Sequence, residues 1–203
     1  MKKIVIFIFI LLLAGLVLIG GGCGEEKLDK KLSESEIRYV LNKTAQDLGW
    51  SSVNITSEEG KNGMRYEFRH NYESAYTKYI TLKITDLLSL ENFQDDYAQN
   101  ACEKTKNQKI EDVVDIPREI STEIIDLSGF DACYYEVYSD YGKQCKTCAS
   151  CSKVQSTRTV IGNYWLSIFS DTVEYDKEIA CNLEEAIFVA ETLAKNLLEV
   201  LRQ

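Results

Sequence analysis

The chain has 203 residues, 45% of them hydrophobic, and its 32 acidic against 23 basic residues leave a formal charge of −9. That length suits one domain with a sizeable core. The acidic balance repels phosphate backbones and so argues against nucleic acid as a partner.

The chain opens MKKIVIFIFILLLAGLVLIGGGCGEEK. Lys2 and Lys3 precede an unbroken apolar run from Ile4 to Ile19 and a small-residue exit, the layout of an export signal. Nothing polar interrupts the run, so it lacks the solvent face of an amphipathic core helix. The GGGC ending at Cys23 resembles the lipobox of prokaryotic secreted lipoproteins, in which a cysteine after small residues is lipidated and becomes the mature N-terminus. The resemblance implies lipidation of Cys23 and a membrane as partner. Gly20 stands where that family usually has leucine, so an uncleaved anchor remains the alternative, its apolar run approaching the roughly 20 residues that span a bilayer. Either way Lys2 and Lys3 hold the N-terminus in the cytoplasm and the domain is expected outside. The organisation is then a signal peptide or anchor over 1–22, a linker over 23–32, and one extracytoplasmic domain over 33–203.

Ser33 and Glu36 form a capping box ahead of Ile37, Val40, Leu41, Ala45 and Leu48, whose spacing predicts an amphipathic helix stopped by Gly49. Alternation follows: Met64, Tyr66, Phe68 and His70 share one strand face, Ile80, Leu82 and Ile84 another, with the turn EEGKNG before the first. Phe93, Tyr97 and Ala101 predict the buried side of a short helix. Strands are expected over 120–127, 131–140, 156–161 and 164–170, joined at LSGF, across the cysteine loop and at Gly162-Asn163. Asn182 caps a last helix with the stripe Ala186, Ile187, Ala190, Leu193, Ala194, Leu197, Leu198 and Leu201, which has to lie on the sheet. The order predicts an α+β domain, a mainly antiparallel sheet with helices packed on it. Its C-terminal part, GNYWLSIFSD followed by an EEA-led helix, resembles uncharacterised secreted lipoproteins, some with PsbP-like or Mog1-like folds. That resemblance implies no activity.

Besides Cys23 there are six cysteines: Cys102, Cys133, Cys145, Cys148, Cys151 and Cys181. An even number in an exported domain predicts disulfides, since outside the cytosol nothing keeps thiols reduced. The run CKTCASC puts three of them in one loop, and full pairing has to tie that loop to the body. The alternative is a zinc or iron–sulfur site on Cys145, Cys148 and Cys151, with Cys133, Cys181 or His70 as fourth ligand. A thiol relay through one C-x-x-C pair is a third reading.

Other chemistry is sparse. His70 is the only histidine and sits on an apolar strand face, and no G-x-S-x-G, P-loop or dinucleotide motif accompanies it. Tyr134 and Tyr138 share one strand face and Trp165 and Phe169 another, a candidate aromatic patch for a protein or glycan partner. Strands covered on both sides would read the same way. Asn42 and Asn54 head glycosylation sequons. The expectation is a membrane-tethered binding or structural module without a cofactor.

Overall fold

The computed structural model describes residues 28–50, 54–71, 78–90, 97–106, 118–140, 151–174 and 183–203. Helix α1 covers Glu34–Asp47. Its capping box is complete: the Ser33 N–H donates to Glu36 Oε2 at 2.8 Å, and the Glu36 N–H donates to Ser33 Oγ at 3.3 Å. Three strands follow, β1 (Ile55–Gly60), β2 (Gly63–Asn71) and β3 (Lys78–Leu87), then helix α2 (Tyr97–Lys106). Strands β4 (Arg118–Leu127), β5 (Phe130–Asp140), β6 (Cys151–Ile161) and β7 (Tyr164–Glu174) precede helix α3 (Leu183–Leu201).

The seven strands make one antiparallel sheet in the order β1-β2-β3-β7-β6-β5-β4, so the domain is α+β as the sequence predicts. Two meanders lie side by side. The chain leaves β3 in mid-sheet, crosses through α2 to the far edge, and returns inward until β7 pairs with β3.

Register sorts every side chain onto one of two faces. Phe68, Leu82, Ile168, Thr157 and Tyr134 follow one another across the strands and share the first face. Helices α1 and α3 pack on that side and enclose the core, with Ile37, Val40 and Leu41 from α1 and Leu193, Ala194 and Leu197 from α3. The second face carries Thr81, Phe169, Ser156 and Tyr135 in one row. Helix α2 packs there against β4, β5 and β6.

Two local expectations are corrected. Glu58, Glu59 and Gly60, read as part of a turn, belong to β1, whose side chains are almost all exposed. It is a sheet edge, and charged residues there discourage pairing with another chain. In α2 the buried residues are Ala98 and Cys102, while Ala101 is half-buried, so the inward stripe is turned by one position from the expected one. Cys102 on this inward side is bonded to Cys133 on β5, Cα to Cα 5.3 Å. Phe93, Asn182 and the body of the cysteine loop lie outside the described residues.

Candidate functional site

The second face of the sheet gathers aromatic rings and guanidinium groups. Beneath α2, the Arg158 guanidinium donates to Tyr135 Oη at 2.8 Å and lies 4.9 Å from a Tyr135 ring centre, a cation–π arrangement. Tyr97, at the start of α2, meets Trp165 edge to face at 6.5 Å between centroids. Burial pushes the Tyr97 phenol up, and the nearby Arg158 charge opposes that shift. Ser156, between Tyr135 and Phe169 in the register, is 2% exposed with no hydrogen-bond partner for its hydroxyl. Farther along, Phe169 meets Tyr79 at 6.2 Å, and the exposed Arg69 caps the Tyr79 ring at 3.6 Å. Tyr135 and Ser156 are covered beneath α2, whereas the exposed Arg69 and the half-buried Tyr79 and Phe169 suit contact with flat or hydroxylated surfaces rather than proton transfer.

The four-residue patch expected from the sequence does not form. Tyr134 pairs with Thr157 and so faces α1 and α3, whereas Trp165 and Phe169 pair with Val160 and Ser156 and point to the other side. Tyr134 is buried, where its hydroxyl donates to Glu136 Oε2 at 3.0 Å and accepts from Gln155 Nε2 at 2.8 Å. The Tyr138 side chain lies outside the described residues. Tyr79, Tyr97, Tyr135, Arg69 and Arg158 were not singled out by sequence reasoning. The Gly162-Asn163 hairpin alone aligns Arg158 with Ser167, but placing Tyr135 beside them requires the β5 register.

Of the six disulfide candidates, Cys102 and Cys133 form a bond. Cys145, Cys148 and Cys181 lie outside the described residues; Cys151 begins β6, its side chain likewise undescribed. The bond corrects the alternative metal set, since an oxidised Cys133 has no thiolate to offer a metal. His70 stacks on Trp50 with centroids 4.5 Å apart. Among the described residues no group of three or more histidine, cysteine or acidic side chains is placed to hold a metal ion. Asn54 is exposed; Asn42 is half-buried on α1, and Thr44 of its sequon is buried.

A cavity of about 590 Å³ opens between α1, α3 and the β4–β5 turn, lined among others by Lys43, Asp47, Asp126, Phe188, Glu191 and Asn196. Two of its charges answer one another. Lys43 Nζ donates to Asn196 Oδ1 at 2.6 Å and to Asp47 Oδ2 at 3.1 Å. The bond to Asp47 raises the lysine's pKa, and the Asn196 amide, then Lys43, lower that of Asp47. Both shifts move away from neutrality, opposite to what general acid–base catalysis needs.

Compared with protein-family models and with curated proteins, the chain matches none. Among the described residues no helix is long and apolar enough to cross a membrane.

Proposed function

We propose that the chain is an exported domain tethered at its N-terminus to the extracytoplasmic face of the cell membrane, acting as a binding or structural module. The observation that carries this reading is the Cys102–Cys133 disulfide behind a leader with the layout of an export signal. Disulfides persist where thiols are not kept reduced. A binding role is favoured by the ring and guanidinium surface around Arg69, Tyr79 and Phe169. The Lys43–Asp47 pair of the α1–α3 cavity, with both members shifted away from neutrality, lends no support to a catalytic role.

The topology then orients the module. The tether enters at Leu28, whose carbonyl lies against Gly162 at one end of β6. Cys151 stands at the other end, and 11 extended residues at roughly 3.3 Å each separate the ends by about 35 Å. On this reading the Cys151 end of β6 lies on the side of the domain away from the bilayer.

Mass spectrometry of the protein from its native envelope, with and without reduction, tests this. Acyl chains on Cys23 and oxidised cysteines support the reading. Free thiols together with bound zinc or iron would replace it with the metal-site alternative.

A further inference from the structure

We propose that the sheet end bearing Leu88 and Leu90 rests in the interface of the bilayer that holds the tether, a step that rests on the tethered reading above. Leu88 is 77% exposed and Leu90 41%, the former the most exposed large apolar side chain among the described residues. Soluble surfaces carry single apolar residues commonly, so position decides what these two mean.

Leu88 follows the last residue of β3, and its N–H donates to the Asn62 carbonyl in the β1–β2 turn at 3.0 Å. The Leu87 N–H donates to the Asn163 carbonyl in the β6–β7 turn at 2.9 Å. Gly162 of that same turn touches Leu28, where the tether enters. The two leucines, both turns and the entry point thus form one end of the molecule. Cys23 is five residues from Leu28, a reach of about 18 Å at most when fully extended. A lipid on Cys23 keeps this end within that distance of the membrane. Lys31, 80% exposed and 3.8 Å from Asp86, and the exposed Lys61 flank the leucines with headgroup-seeking ammonium groups.

Full-length protein is reconstituted in vesicles of phosphatidylcholine and phosphatidylglycerol with brominated acyl chains. Tryptophan is introduced as Leu88→Trp or, at the exposed far end of β2, as Asn71→Trp, and the emission of the unsubstituted protein is subtracted. The Leu88→Trp emission is expected to shift to the blue and be quenched, and the Asn71→Trp emission to remain unquenched. Protein that floats with the vesicles while Leu88→Trp stays unquenched overturns the docking and leaves the tether standing. Protein that does not float overturns both. A blue shift without vesicles, accompanied by a dimer mass, assigns the leucines to a second copy of the chain and likewise overturns the docking.

Discussion

Cys102 on α2 and Cys133 on β5 are joined across 31 residues of chain, fastening the helix to the sheet face opposite α1 and α3. Helix α2 fully buries Ala98 and Cys102, two small side chains, and adds the Tyr97–Trp165 ring contact, so apolar burial alone anchors it weakly. Replacing both cysteines by alanine is expected to lower the unfolding free energy by about 2–4 kcal/mol in urea titrations. Amide exchange should speed up first in α2. Unchanged stability would mean that the bond contributes nothing to the fold.

Asn196 joins the two helices of the other face. Its side-chain amide donates to Thr44 Oγ1 at 3.1 Å and to Asp47 Oδ2 at 3.0 Å, and its carbonyl accepts from Lys43. Asn196 and Thr44 are buried, so a partner lost between them is poorly replaced by water. Asn196→Ala is expected to cost about 1–3 kcal/mol, read from the shift of the urea midpoint. Asn196→Asp should cost more, because it loses both donated bonds and faces the Asp47 carboxylate.

The capping box makes stability acid-sensitive. The Ser33 backbone N–H, then its hydroxyl and Lys30, hold the Glu36 carboxyl down at about 2 from an ordinary 4.5. A depressed carboxyl contributes stability that is complete above the unfolded value and is lost as pH falls through the folded one. Asp47, lowered by Asn196 and Lys43, acts in the same direction. Helix content followed by circular dichroism should therefore fall between pH 4.5 and about 2. Glu36→Gln keeps the reciprocal capping geometry but removes the charge, and is expected to flatten that part of the acid profile.

Much of the fold is legible where local periodicity decides it. Helix α1 shows its capping box, Phe68, Leu82 and Ile84 mark core faces by alternation, and Leu193, Leu197 and Leu201 outline α3. What depends on long-range pairing is not. The insertion of β7 beside β3 brings together segments that no local signal links, and it decides which face a strand's odd or even residues take. Tyr134 and Trp165 accordingly look equivalent in the sequence yet lie on opposite sides of the sheet. The inward side of α2 carries Cys102, bonded to a residue 31 positions away. Edge strand β1, rich in charge because it is an edge, resembles a turn for the same reason.

The observed disulfide narrows the remaining pairings. With Cys102 and Cys133 taken, the four other cysteines of the body allow three connectivities, and each joins Cys181 to one cysteine of the loop. Peptide mapping without reduction is expected to find one such cross-link and one bond within CKTCASC. Cys181 recovered as a free thiol would contradict full pairing.

The oxidising location of the domain is tested most directly by alkylating thiols in intact, acid-quenched cells and measuring the masses of the Cys102 and Cys133 peptides. Both peptides should escape the label until a reductant is added. Labelling of both without reductant would place the domain in a reducing compartment and contradict the exported, tethered reading.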